Sequence, residues 1–363
     1  MFICSRTVNN HYPIKYNTVV MKKILAFLFL CMLGFGAYIG WNLYGPSVSS
    51  PEGKYFYIKT GASYDEVKQA LLDKKIIKTA FWFNKVSKRV NYAKNIKPGR
   101  YEIKNGSNLI NLLKTLKRGW QAPVNFVITK LRTKEDLAAR VARYFETDST
   151  TAIRFLLSND SLAKFHLDTN TVMTAIIPNT YSIKWNTPFN KIFQRLKSEE
   201  DKFWTEERRQ KAKNKNLSPQ QVYTIASIVE EETNKQEDKG LIASVYINRV
   251  AKNMRLEADP TVKFAMRNFA LKRVLHKHLD YLSPYNTYRN SGFPPGPICT
   301  ASASTIDAVL NAPETNYIFF VARPDFSGYS NFAETYQQHL IYAKAYQKAL
   351  DSLFLSKQNK PAQ

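Results

Sequence analysis

Apolar and polar positions follow a helical period most clearly from Ser218 to Thr233, SPQQVYTIASIVEEET. Ser218 is a capping residue, Pro219 suits the first helical position, and Gln221 stands at the capping-box spacing. At about 100° per residue, Val222, Ile225, Ala226 and Val229 fall on one stripe, which predicts an amphipathic helix with that face buried. Glu232 lies three residues after Val229 and seven after Ile225, so it continues the apolar stripe, whereas Glu230 and Glu231 project to either side as supporting or solvated acids. A carboxylate so placed is partly desolvated and close to the negative end of the helix dipole; both effects raise its pKa, as a general acid working near neutrality requires. The same spacing also allows the helix to fray at Val229 and leave all three acids in water, as acid runs usually are.

The longest apolar run is Ile24–Tyr44, twenty-one residues without a charge, the length of a transmembrane helix. A cleaved signal peptide is the alternative, but the run is longer than a typical signal core and no small-x-small site closes it. Phe29 and Leu30 before Cys31 speak against a lipoprotein. Met21-Lys22-Lys23 reads as an ordinary start for such a protein, which leaves room for the first twenty residues to be a start-site artefact. Arg6, Lys15, Lys22 and Lys23 precede the span, so residues 1–23 are expected in the cytoplasm and the rest of the chain outside.

Beyond a Pro/Gly/Ser linker at 45–53, a strand-turn-helix scheme runs from Tyr55 to Leu72, with Ser63 and Glu66 as a capping box, and again from Tyr101 to Leu116. A weaker third copy spans Val124–Phe145. Such units suit an accessory binding domain or a plain spacer equally well. Residues 147–215 read as mostly helical, broken at Ile176–Tyr181, with Arg208–Lys215 a solvated basic linker. A second good helix is expected at about Lys239–Lys252. Asp259, preceding Pro260, calls for extended or turn geometry, either as a site residue or as an Asx turn. Ser283–Pro297 is dense in Pro, Gly, Asn and Tyr, an inventory that grips sugars or simply makes an ordered connection. Ile318–Val321 reads as a buried strand, and Glu334–Leu353 as a helix whose Tyr/Leu stripe is core and whose His339 is a satisfied structural histidine.

Charge narrows the partners. The 363 residues carry 53 Lys and Arg against 29 Asp and Glu, a net charge of +24 that favours polyanions: nucleic acid, acidic lipid or an anionic wall polymer. The basic residues are scattered and no recognition helix, zinc-finger spacing or RNP-like motif is present, which argues against nucleic acid. Only Cys299 of the three cysteines follows the span, so no disulfide forms there. No metal spacing, P-loop, Ser-His-Asp set or dinucleotide fingerprint occurs, and no metal or other cofactor is expected.

Five segments, ASIVEEET (Ala226–Thr233), SVYINR (Ser244–Arg249), LEADPTV (Leu256–Val262), YNTYRNSGFPPGPI (Tyr285–Ile298) and YIFFVA (Tyr317–Ala322), together resemble the YceG-like, or MltG, family of endolytic murein transglycosylases. The resemblance implies an α+β chain: a single membrane helix at 24–44, a small LysM-like domain at 52–123, and a larger mixed α/β catalytic domain at 124–355. It implies peptidoglycan glycan strands as substrate, synthases as neighbours in the inner membrane, and an extracytoplasmic catalytic domain. The family's catalytic glutamate falls at Glu232, the residue that the helical spacing also singles out. The bond from N-acetylmuramic acid to N-acetylglucosamine would be cut without water, the muramic acid's 6-hydroxyl closing a 1,6-anhydro ring. Asp259, Asn286 and Tyr288 are secondary candidates for holding the glycan. Departures from the family pattern occur at Asn179, at Cys299–Ser302, and at Gly328–Phe332, which lacks a histidine. A muramidase using water and two carboxylates, or a tethered wall-binding scaffold, remain the alternatives.

Overall fold

The computed structural model describes residues 18–358. The expected cytoplasmic charges Arg6 and Lys15 therefore lie outside the described residues. The first helix, α1 (Thr18–Tyr44), is apolar along its length, and its stretch Val19–Tyr44 is long enough to cross a membrane, with none of its most apolar window buried in protein. Among the described residues the cysteines Cys31 and Cys299 are both free. The chain then divides into two compact units, with the boundary between Ala122 and Pro123.

In the first unit, β1 (Tyr55–Ile58) leads into α2 (Tyr64–Asp73), then α3 (Ala80–Arg89), β2 (Gly99–Glu102) and α4 (Leu109–Arg118). Strands β1 and β2 pair antiparallel, Phe56 opposite Tyr101. The two strand-turn-helix schemes are thus real and share one sheet. The capping box is formed as spaced: Ser63 Oγ accepts from the Glu66 amide, and the Glu66 carboxylate accepts from the Ser63 amide. Phe56, Leu71, Phe83, Tyr92, Tyr101, Leu113 and Leu116 make the core.

The second unit opens with β3 (Val124–Val127) and α5 (Lys134–Tyr144), the third weak copy. Its strand pairs antiparallel with β4 (Thr180–Ile183) and not with the first two copies. Between them lie α6 (Ser149–Leu156) and α7 (Asn159–Ala163), and after β4 comes α8 (Phe189–Phe203); this half packs around Phe126, Leu137, Val141, Ile192, Phe193 and Leu196. The basic stretch expected to be a linker is instead helical, α9 (Glu206–Asn214), because Thr205 caps it and Arg208 makes a bidentate pair with Asp307 at 2.8 and 2.9 Å. Its Ala212 is buried.

The remaining elements are α10 (Pro219–Glu232), α11 (Gln236–Ala251), α12 (Asp259–Ala265), α13 (His276–Leu279), α14 (Ala303–Leu310), the hairpin β5 (Phe319–Ala322) and β6 (Ser330–Ala333), and α15 (Tyr336–Gln358). Helix α10 begins as spaced, with its capping box closed and Pro219 at the first position. It is not amphipathic in place: all residues from Val222 to Val229 are buried, because α9, α11, α12 and α14 pack around it. Its polar members are paired accordingly. The Tyr223 hydroxyl donates to Ile176 O at 2.5 Å and accepts from the Ala301 amide at 3.2 Å, and Ser227 Oγ accepts from the Ile298 amide at 3.0 Å.

Four expectations about this region are corrected. Asp259 does not sit in a turn but opens α12; Pro260 occupies the first helical turn, where a missing N–H breaks no hydrogen bond. Strand β5 is half-buried, not buried. The α15 stripe is not core: Tyr336, Ile341, Phe354 and Leu355 are exposed, since only the hairpin β5–β6 packs on this helix in quantity. His339 stacks on Phe319 at 5.1 Å, but its buried Nδ1 has no hydrogen-bond partner among the described residues, so it is packed rather than satisfied.

Replacing Tyr223 by Phe leaves Ile176 O and the Ala301 amide unpaired in the core. Tyr223→Phe is expected to cost about 1–3 kcal/mol of unfolding free energy by urea titration, with the folded spectrum unchanged; a change within experimental error would show that the hydroxyl is dispensable.

Candidate active site

The acid triplet that closes α10 separates into three environments. Glu230 is tied down: its carboxylate accepts from Ser302 at 2.9 Å and from Thr305, and pairs with Lys239 at 3.4 Å. Burial pushes its pKa up, but the Thr305 hydroxyl, Lys239 and Ser302 outweigh burial and hold it below the usual carboxylate range. Glu231 bridges Lys130 at 3.1 Å and Arg132 at 3.0 Å. Neither acid is solvated, and the frayed-helix alternative fails with them, since the helix continues through Glu232.

Glu232 differs in having no cation paired with it. It is half-buried, and its Oε1 accepts from the Tyr246 hydroxyl at 2.7 Å. Burial is the largest influence on it and raises its pKa to about 7; the Tyr246 hydrogen bond lowers it, Asp259 raises it, Lys263 lowers it and Glu231 raises it. A carboxyl group poised at that value both gives and takes a proton near neutrality.

Tyr246 comes from α11, where it is buried with its ring edge-on to Phe320 at 6.0 Å. Burial first, and the Glu232 charge second, keep its own pKa well above the usual tyrosine value, so its hydroxyl stays protonated and donates to Glu232. The same helix is locked one turn later by Arg249, whose guanidinium donates to Ile318 O, Arg255 O and Leu256 O at 2.7–3.1 Å and pairs with Glu257 at 3.0 Å. That set draws β5 and the segment before α12 onto α11.

Asp259, at the start of α12, accepts from the Tyr288 hydroxyl at 2.8 Å, and both act electrostatically on the Glu232–Tyr246 pair. Burial, then the bond to Asp259, raises the Tyr288 pKa. The structure thus brings Asp259 and Tyr288 into one group with Glu232 and Tyr246. Asn286 is different. It is fully buried, its amide donates to Leu279 O at 2.8 Å and Tyr281 O at 2.9 Å, and its oxygen accepts from the Tyr288 amide at 3.0 Å. These bonds make it a brace of the loop that presents Tyr288, not a group facing a ligand. Tyr246 and Lys263 were missed by sequence reasoning. The signal for Tyr246 lay in SVYINR, where a tyrosine three residues before a charged Arg249 reads equally well as core. Among the described residues no group of His, Cys, Asp and Glu could hold a metal ion.

At the end of the loop 283–298, Gly296 lies flat against Asn170. A Cβ there would meet Asn170 O at 2.1 Å, so no other residue permits that approach.

The profile of the YceG-like family matches residues 56–345. The chain belongs to this family. It is similar to the endolytic murein transglycosylase of Bacillus subtilis, with 36% identity over 166 residues, and to that of Streptococcus pneumoniae, with 28% identity over 348 residues. The first comparison covers 45% of this chain and 45% of the relative, the second 84% and 61%, so the chain spans about half to three-fifths of the curated relatives it matches. A crystal structure of a YceG-like protein from Listeria monocytogenes is similar at 29% identity and a TM-score of 0.53, covering 78% of this chain and 97% of that one.

Tyr246→Phe removes the one hydrogen bond that lowers the Glu232 pKa while keeping the ring's packing. The Glu232 carboxyl is expected to titrate above pH 7 in this variant, read by carboxyl NMR or difference infrared spectroscopy against wild type. A value at or below the wild-type one would show that the hydroxyl does not act on the acid.

Proposed function

We propose that this protein is a membrane-anchored endolytic lytic transglycosylase of peptidoglycan, with Glu232 as its sole catalytic acid and base. The observation that carries the proposal is a half-buried carboxyl group, its pKa raised to about 7 and one oxygen held by Tyr246, at the end of a buried helix in a YceG-like chain. Names of the relatives support the activity: the B. subtilis and S. pneumoniae proteins are both called endolytic murein transglycosylases.

Protonated Glu232 donates its proton to the oxygen linking muramic acid C1 to the next N-acetylglucosamine, and the C1–O bond breaks. The resulting carboxylate accepts the proton of the muramic acid 6-hydroxyl as that oxygen bonds to C1, which regenerates the acid and leaves a 1,6-anhydro end. Tyr246 holds the carboxyl in place in both halves of the cycle. Asp259 and Tyr288 hold the sugar beside it, and Asn286 supports them by fixing the loop. One carboxylate suffices because the nucleophile is in the substrate; a water-using muramidase would need a second with its own water.

Helix α1 anchors the chain with Lys22 and Lys23 on the cytoplasmic side, and the remainder faces the wall from the inner membrane. Residues 52–123 form a LysM-like accessory domain and 124–355 the catalytic domain, a division supported by the boundary after Ala122. Cutting nascent strands internally near their synthases would end strand elongation.

Glu232→Gln is expected to abolish release of 1,6-anhydromuramyl products from purified strands, measured by mass spectrometry, with the thermal unfolding profile retained. Reducing ends in the wild-type digest would assign a muramidase instead, and strand capture without cleavage a scaffold.

Glu232 must be protonated for the first step, so wild-type kcat/KM is expected to fall as pH rises through about 7. Folding stability follows the same sign: a carboxyl whose pKa is raised from 4.5 favours the folded state fully below that value and loses this contribution as pH rises through about 7. Denaturation curves of wild type and Glu232→Gln at pH 4 and pH 8 check this, wild type alone carrying this loss.

A further inference from the structure

The second unit holds a small cation-lined cavity that the mechanism above does not use, linked to the acid through its neighbour Glu231 and through α12. Its volume is about 120 Å³, and Arg132, Lys134 and Arg267 line it with Asn170, Phe264 and Tyr285. That space holds a carboxylate-bearing group but is small for a sugar ring.

Two connections tie the cavity to Glu232. Arg132 pairs with Glu231, the residue next to the acid. Helix α12 forms the other: its Asp259 and Lys263 act on Glu232, while Phe264 and Arg267, at and beyond its end, reach the cavity. From Asp259 to Ala265, the length of α12, is six residues, about 9 Å at the helical rise, and Arg267 lies two residues beyond its end.

The charges around it are only partly matched. Glu231 is shared between Arg132 and Lys130, and Glu135 pairs with Arg267 at 3.5 Å through exposed side chains. Asp168 is occupied by the amides of Asn170 and Thr171 and the Thr171 hydroxyl. Lys134 donates to Thr169 O at 2.9 Å, which uses one of its three N–H groups. Its pKa is lowered, by burial above all and by Arg267, against the opposing pull of Glu135 and Asp168; an anion in the cavity would relieve both influences. Arg267 itself has φ 53°, directly after α12, a left-handed position usually given to Gly or Asn. Backbone strain at a cationic residue on a cavity wall fits a role in binding.

We infer that this cavity is a subsite for a free carboxylate of the peptide that hangs from muramic acid, held by Lys134 and Arg267 with Arg132 at its rim. The inference rests on the proposed transglycosylase function. Muramic acid carries its peptide on the lactyl group at C3, on the ring whose C1 meets Glu232. Three or four extended residues span about 10–14 Å, enough to reach from Asp259 past the far end of α12. Recognition of this kind makes the enzyme selective for strands whose peptides keep their charge.

The test compares glycan strands bearing free peptide carboxylates with the same strands after chemical amidation of those carboxylates, using the full chain and counting 1,6-anhydro ends. Wild type is expected to prefer the free-carboxylate strands by roughly tenfold in kcat/KM. Arg267→Asn, which tolerates the left-handed backbone, and Lys134→Gln should bring that ratio toward one, and Lys134→Arg should restore it. Equal rates for wild type on both substrates, or a ratio unchanged in both variants, overturns the subsite while leaving the enzyme a transglycosylase. Cleavage of neither substrate by wild type overturns the function and the subsite together.

Discussion

The second half of the second unit is assembled against α10, and the site depends on how completely that helix is buried. Eight consecutive residues, Val222 to Val229, are closed off from water, so the end of the helix is fixed from all sides. The first side chain to emerge unpaired with a cation is Glu232. A carboxylate on an exposed helix end would ionise freely; this one is forced to the edge of a packed core and meets a tyrosine instead of water. Loss of that packing would restore an ordinary surface acid.

The triplet shows how neighbours on one helix turn acquire opposite properties. Glu230 and Glu232 are both partly desolvated, yet their pKa values move apart. Glu230 gains two hydroxyl donors and Lys239, which stabilise its charge. Glu232 gains a single neutral donor and the repulsion of Asp259 and Glu231. The difference is supplied by α14, distant in sequence, and by α11, the helix that directly follows α10.

Positive charge is concentrated in the chain before Pro123. Residues 45–122 contain sixteen Lys and Arg against five Asp and Glu, a strongly basic segment directly after a helix able to cross a membrane. Such a surface is drawn to anionic lipid and anionic polymer alike. In the second unit the cations are paired more often with specific partners, as Arg208 with Asp307 and Arg249 with Glu257.

By itself the sequence determined the local features: the α1 run, the capping boxes at Ser63 and Ser218, and a helix from Pro219 that runs on through the acid triplet. These rest on interactions within a turn or two, which spacing encodes directly. What it could not settle was which faces would find partners. The α15 stripe reads like core and is exposed, while Thr224 and Ser227 read as polar and are buried, because burial depends on what packs from elsewhere. Tyr246 looks like one more core aromatic until α11 is laid against α10. Asn286 looks like a ligand-gripping amide until its loop closes and uses every bond it has. Only the tertiary structure decided these, since a hydrogen bond between residues far apart in the chain leaves no period in the sequence to read.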